Sequence, residues 1–240
     1  MRLPHWLLKL GFHLLYYQFA WSYELVAWLV SFGQWSTWRR LALKFMQPGP
    51  VLELAHGSGV FFTDMIEAGY QPVGIDLSPY MARLAGKRLK QRNCIAPLSR
   101  ARAQALPFPS GYFANVVATF PTDYMLADET MSEIYRILQD SASIENGAPG
   151  RLIIVAEGQL RGPWPFCSLI DWLYKITGQR NIPPPQPITL LTTHNFEARW
   201  EIAGQQNASA RLIIADKKSL RSSSTFSLKP TPWYNSSLGD

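Results

Sequence analysis

Val51-Leu52-Glu53-Leu54-Ala55-His56-Gly57-Ser58-Gly59-Val60-Phe61-Phe62 is the stretch whose reading decides the fold. Its opening residues suit a buried parallel strand, its middle is a turn of small residues, and Asp64-Met65-Ile66-Glu67-Ala68 carries it on as a helix. Gly57 and Gly59 let the backbone bend sharply and approach a ligand closely. The helix behind them offers unpaired N–H groups and a partial positive charge, so a carboxylate or phosphate can rest there. Two glycines between a strand and a helix also serve as a plain tight connection, and the turn alone does not separate the two readings.

The next apolar run, Pro72-Val73-Gly74-Ile75, ends in Asp76, which lies 17 positions after Gly59. An acid at the carboxyl end of the second strand is where an α/β nucleotide site grips two ribose hydroxyls. Ser78-Pro79 then supplies a cap and an N1 proline for the following helix. Taken with the glycine turn, Asp76 favours a ligand site.

Four segments now resemble the class I S-adenosylmethionine-dependent methyltransferases, particularly the small-molecule branch that includes the ubiquinone and menaquinone C-methyltransferases. They are Val51 to Gly59, Gly74-Ile75-Asp76-Leu77-Ser78, Ala105-Leu106-Pro107-Phe108-Pro109-Ser110-Gly111-Tyr112-Phe113, and Glu133-Ile134-Tyr135-Arg136-Ile137-Leu138 leading to Pro149-Gly150-Arg151-Leu152-Ile153-Ile154-Val155. The match spans roughly residues 48 to 157. The Leu-Pro-Phe segment separates it from nicotinamide dehydrogenases. The resemblance implies that Glu53 and the turn Ala55, His56, Gly57, Ser58 and Gly59 hold the amino acid end of S-adenosylmethionine, and that Asp76 holds its ribose. It implies further that Leu77 and Met81 flank the adenine, that Ala103 and Gln104 close over it, and that Phe120 joins the cofactor set. Ala55 stands where the family usually has glycine, which is accommodated if the backbone stays at negative φ. Arg102-Ala103 stands where the family often has Asp-Ala, and an arginine cannot accept a hydrogen bond from the adenine amino group. Gln139 to Ala148 is an insertion that reads as a surface loop.

A chain of 240 residues with 47% hydrophobic content buries a full core and reads as one domain with appendages. Its 23 Lys and Arg exceed its 17 Asp and Glu without forming a basic arm, so a nucleic-acid substrate is unsupported. Cys94 and Cys167 lie far apart without metal spacing, which points to no metal site and fits a reducing, cytoplasmic setting. The start has no signal-peptide form, because Pro4, His5, Lys9 and bulky aromatics interrupt it.

Residues 3 to 46 are crowded with aromatics, and Lys9, Glu24, Arg39 and Arg40 cut them into uncharged pieces of about 14 residues. A spanning helix needs roughly 20, so two or three helices broken near Gly11 and Gly33 are expected instead. The resemblance makes this segment a lid over the cofactor and one wall of the substrate pocket. Tyr16, Tyr17, Trp21 and Tyr23 are its substrate-binding candidates, since aromatic faces stabilise a sulfonium and line an apolar pocket. The alternative use of the segment is a peripheral membrane contact through Trp6, Leu7, Leu10 and Leu14.

Met81 to Gln91 reads as a surface helix with a solvated charged face, and Val116 to Phe120 as a buried strand. Thr122, Asp123 and Tyr124 follow at that strand's carboxyl end, where ligands meet an open parallel sheet. They are the further substrate-side candidates, with Asp123 and Tyr124 the candidates for catalysis and a turn or cap the competing role for Asp123. Asp128 to Leu138 reads as a helix and Leu152 to Ala156 as a strand ending at Glu157, a strand-end acid or a general base. Pro183 to Pro187 should be an extended connector, and Glu197–Ile202 with Arg211–Ala215 a closing antiparallel hairpin. His194 reads as a surface or capping residue, and the tail after Lys218 as disordered.

The expected architecture is a doubly wound, seven-stranded, mainly parallel sheet with an antiparallel edge and an N-terminal helical lid. Residues 1–46 would be the lid, 47–218 the methyltransferase domain and 219–240 the tail. The expected activity is methyl transfer from S-adenosylmethionine to an apolar or aromatic small molecule. Its alternative, kept open by Ala55 and Arg102, is a non-catalytic cofactor-binding protein attached to a membrane or partner through the N-terminal helices.

Overall fold

The computed structural model describes residues 33–94, 97–140, 148–160, 185–205 and 208–219. Chain order is α1 (Trp35–Arg40), a 3-10 turn (Leu41–Phe45), β1 (Val51–Leu54), α2 (Val60–Glu67), β2 (Pro72–Ile75), α3 (Pro79–Gln91), β3 (Leu98–Ser99) and β4 (Asn115–Thr119). A second 3-10 turn (Asp123–Leu126), α4 (Asp128–Ile137), β5 (Arg151–Leu160), α5 (Pro185–Thr193), β6 (Phe196–Gln205) and β7 (Ala208–Lys217) complete it. The sheet has seven strands in the order β3-β2-β1-β4-β5-β7-β6. β1 to β5 pair in parallel, and β7 inserts antiparallel between β5 and β6. The expected doubly wound sheet is therefore present, with its hairpin forming one edge.

Both faces of the central strands are covered, which explains why they read as continuous apolar runs. One face carries Leu52, Leu54, Val116, Leu152 and Ile154 against α4 and α5 residues such as Ile134 and Leu191. The other carries Val51, Val117, Ile153 and Val155 against Trp38, Phe61, Phe62 and Leu89. Trp38 is 0% exposed, so the stretch containing α1 is packed into the domain. Arg40 fixes the same helix from outside, donating to Asp64 Oδ1 on α2 at 2.6 Å. At the amino ends of the strands, Asn115 exchanges hydrogen bonds with the Gln47 backbone at 3.0 and 2.7 Å. Lys217, 5% exposed, donates to the Leu138 carbonyl at 2.7 Å and pairs with Asp140 at 3.0 Å, anchoring one end of the insertion to the last strand.

Three expectations are corrected. Pro185 to Pro187 lie in the first turn of α5 and not in an extended connector. First-turn N–H groups have no intrahelical acceptor, so prolines there cost the helix nothing. β4 ends at Thr119, one residue early, because Phe120 takes φ 49 and leaves the strand. β5 runs on to Leu160, past the expected end at Ala156. It carries a bulge there: Val155 pairs with Leu212 and Glu157 with Arg211, leaving Ala156 without a partner in register.

The bulge also places Gly158 on the Trp38 side, where a Cβ would fall 2.1 Å from the indole. Gly158→Ala is expected to destabilise the fold by about 1–3 kcal/mol in a denaturant titration, since the ring has to shift. Trp38→Leu in that background should recover part of the loss; a neutral Gly158→Ala would contradict this packing.

Candidate active site

The described site candidates fall toward the carboxyl edge of the sheet. From the end of β1 the backbone turns through Ala55, Gly57 and Gly59 at φ 54, 54 and 76. Ala55 thus sits in the left-handed region and not at the negative φ expected for it, a conformation that costs an L-residue about 1–2 kcal/mol. Its side chain is exposed, so only the backbone is strained. Gly59 is required on different grounds: a Cβ there would meet the Ala85 Cβ at 2.9 Å, so its absence lets the turn close on α3.

That same helix holds the turn actively. Arg88 Nη1 donates to the Ser58 carbonyl at 2.8 Å and to Ser58 Oγ at 3.2 Å. The expectation that all the charges of α3 form a solvated face is corrected at this position. Asp76 secures the turn from β2, its Oδ2 accepting the Gly57 N–H at 2.9 Å while Oδ1 accepts the Ser78 N–H at 2.7 Å. Each oxygen keeps a lone pair for a further donor. Ser78 caps α3 by accepting the Met81 N–H at 3.3 Å; Met81 itself is 1% exposed, whereas Leu77 is 47% exposed.

Beneath the turn lies a buried polar layer. Glu53 is 1% exposed and its Oε2 has no hydrogen-bond partner. Burial pushes its carboxyl well above the ordinary 4.5, opposed by the Arg39 cation from α1 and reinforced by Asp76 and Asp64. His56 is also buried, with Nδ1 donating to the Gly57 carbonyl at 2.9 Å; that tautomer leaves Nε2 a bare acceptor without a partner. Burial lowers the imidazole's pKa, against the pull of Asp76. Phe120, held by its N–H to the Val155 carbonyl at 2.8 Å, stacks on Trp35 with centroids 4.0 Å apart. α1 therefore reaches both the acid of β1 and the end of β4.

On the opposite flank, the Asp76 N–H donates to the Ser99 carbonyl at 3.2 Å and Arg100 to the Leu77 carbonyl at 3.0 Å, bringing the segment after β3 beside Asp76. Within that segment Ala103 is 9% exposed, while Arg102 and Gln104 are exposed. The Leu-Pro-Phe stretch is clamped by α4: Glu133 accepts the Leu106 N–H at 2.6 Å, and Arg136 donates to the Leu106 and Phe108 carbonyls at 2.9 and 2.7 Å. Arg136 also pairs with Glu133 at 2.7 Å and so holds that carboxyl below its ordinary value.

Toward β5 and β7 the edge opens into an apolar cleft. Ile154, Ala156 and Ile213 form its floor, with Pro121, Met125, Leu190 and Trp200 among its walls. Thr122 is among its lining residues. Tyr124 packs against the core cluster and is not among its lining residues. The Asp123 side chain, Tyr16, Tyr17, Trp21 and Tyr23 lie outside the described residues. Glu157, by sequence a strand-end acid or a general base, borders the cleft. The His194 side chain meets Asp128 Oδ1 at 3.0 Å. Among the described residues no cluster suits a metal, and no helix is long and apolar enough to cross a membrane.

Ala55→Gly removes the left-handed strain, about 1–2 kcal/mol, and adds unfolded-state entropy of about 0.4–1 kcal/mol. Thermal unfolding should show a gain of roughly 0.5–1 kcal/mol; a loss would place Ala55 at negative φ.

Comparison with known proteins agrees with this geometry. Residues 51–141 match the methyltransferase domain family. Demethylmenaquinone methyltransferase from Thermus thermophilus is 31% identical over 170 residues, covering 67% of this chain and 70% of that protein. The ubiquinone/menaquinone biosynthesis C-methyltransferase from Pectobacterium carotovorum is 26% identical over 58% of this chain and 56% of its own length. The chain thus spans little more than half of this second relative. Among solved structures, a S-adenosylmethionine-dependent methyltransferase from Thermotoga maritima superposes with a TM-score of 0.58 at 17% identity, covering 86% of this chain and 99% of that one, which establishes the fold. With the glycine turn, the strand-end acid and the clamped Leu-Pro-Phe segment in place, the chain belongs to the S-adenosylmethionine-dependent methyltransferases.

Proposed function

We propose that the protein transfers the methyl group of S-adenosylmethionine to an apolar or aromatic small molecule bound in the cleft above β4, β5 and β7. The observation that carries this reading is the adjacency of that cleft to the glycine turn: Pro121 and Thr122, which line it, follow β4 after Phe120, and β4 pairs with β1. The family's cofactor fits the chain's own donor set. Glu53 Oε2, buried and without a partner, matches an ammonium, and the free lone pairs of Asp76 match the hydroxyls of a ribose. On this reading exposed Leu77 and the segment at Ala103 and Gln104, which follows β3 beside Asp76, take the adenine, with Arg102 leaving its amino group to backbone acceptors.

S-adenosylmethionine supplies an electrophilic methyl on a sulfonium, so the reactivity comes with the cofactor. The chain's part is to align the acceptor with the methyl–sulfur bond and to exclude water. Trp35 stacked on Phe120 sets an aromatic wall at the end of β4, suited to a cationic sulfur. The cleft's apolar lining selects acceptors that gain from leaving water. The relatives named for menaquinone and ubiquinone methylation support an aromatic acceptor.

The test is transfer of label from methyl-labelled S-adenosylmethionine to a panel of apolar aromatics, polar amines and transfer RNA, with Asp76→Ala as the control for the donor site. Label should pass to apolar aromatics alone and vanish in the variant. Turnover only of polar acceptors or of RNA would overturn the proposal.

A further inference from the structure

The bulge at Ala156 decides what the cleft can recognise. In an unbroken strand Glu157 would alternate onto the face of Ile153 and Val155, under α1. The extra residue turns it to the face of Ile154 and Ala156, and sends Gly158 under Trp38 in its place. Glu157 thereby becomes the one titratable side chain among the described residues that line the cleft. It is held there by Arg211, its cross-strand partner on β7, at 3.2 Å, with the two side chains 25% and 24% exposed. Arg211 is itself steadied over the Trp200 ring, 4.3 Å from its centroid, and Trp200 also lines the cleft. Three residues from three adjacent strands thus form a polar pole on a wall that is otherwise apolar.

We infer that Glu157 is the specificity-determining residue of the acceptor cleft. It accepts a hydrogen bond from a neutral donor group on the acceptor, a hydroxyl or N–H, and turns away acceptors bearing a carboxylate or phosphate at that end. Arg211 acts through Glu157 as a positioning residue. The charge logic follows from the lining: Arg211 is engaged by the carboxylate, so an anionic ligand meets Glu157 and no cation among the described lining residues. A half-buried carboxylate favours a directed hydrogen bond from a neutral donor and repels a like charge. The inference rests on the cleft being the acceptor site.

The experiment measures binding of 2-naphthol and 2-naphthoate to the full chain saturated with S-adenosylhomocysteine, for wild type, Glu157→Gln and Arg211→Met. Wild type should prefer 2-naphthol by about tenfold or more. Glu157→Gln should tighten 2-naphthoate and weaken 2-naphthol, closing the gap, while S-adenosylhomocysteine binds as before. Arg211→Met should lower the affinity for 2-naphthol without restoring 2-naphthoate. A ratio of affinities unchanged by Glu157→Gln would overturn the role of Glu157 and leave the cleft reading standing. Failure of wild type to bind either naphthalene derivative, with S-adenosylhomocysteine bound, would overturn the cleft reading itself.

Discussion

A carboxyl group buried at the end of the first strand without enough partners is the constraint around which the rest of the site is arranged. Glu53 is enclosed by the sheet and the glycine turn, and one of its oxygens has no donor. An unpaired buried charge is costly, so the carboxyl is pushed toward its neutral form until a cation arrives. The fold supplies part of that cation's field through Arg39 and stops short of neutralising the site. Asp76, Arg88 and Ala85 then hold the turn over the acid from β2 and α3. The strained left-handed Ala55 lies in this same turn, where a surrounding network is tight enough to hold it.

The two faces of the sheet divide the work. The face under α1, α2 and α3 is packed densely, with Trp38 pressed onto Gly158, and it fixes the geometry of the turn. The other face gives up packing beyond β4 and opens into the cleft. A single extra residue in β5 serves both: it admits the indole on one side and presents Glu157 on the other. On the proposed function, donor and acceptor regions are thereby set side by side on one edge of the sheet, as direct transfer between two ligands requires.

Much of this was legible in the sequence, and the parts that were share a physical character. The glycine turn, Asp76 and the Ser78-Pro79 cap are local, so residue type and spacing carry them. The alternating faces of the strands follow from their apolar runs. What was not legible depends on partners distant along the chain. Arg88 reads as one more surface charge until Ser58, 30 residues earlier, is found against it. Glu133 and Arg136 could be quoted as a motif, but their use as a clamp needs the Leu106 and Phe108 backbone beside α4. The bulge that aims Glu157 is set by pairing with β7, more than fifty residues on. The prolines at 185 and 187 have a composition that suggests an extended chain; only their place in a helical first turn makes them harmless.

The most direct measurement on this account is calorimetric titration of the folded chain with S-adenosylhomocysteine, in buffers of differing ionisation enthalpy, from about pH 5 to pH 8. On the proposed function Glu53 ionises to receive the ligand's ammonium, and burial holds its carboxyl raised in the free protein. Binding should therefore strengthen as pH rises and release a proton to the buffer, and Glu53→Gln should abolish that release while weakening binding by about tenfold or more. Absence of binding, or heats independent of buffer over the whole range, would contradict the account.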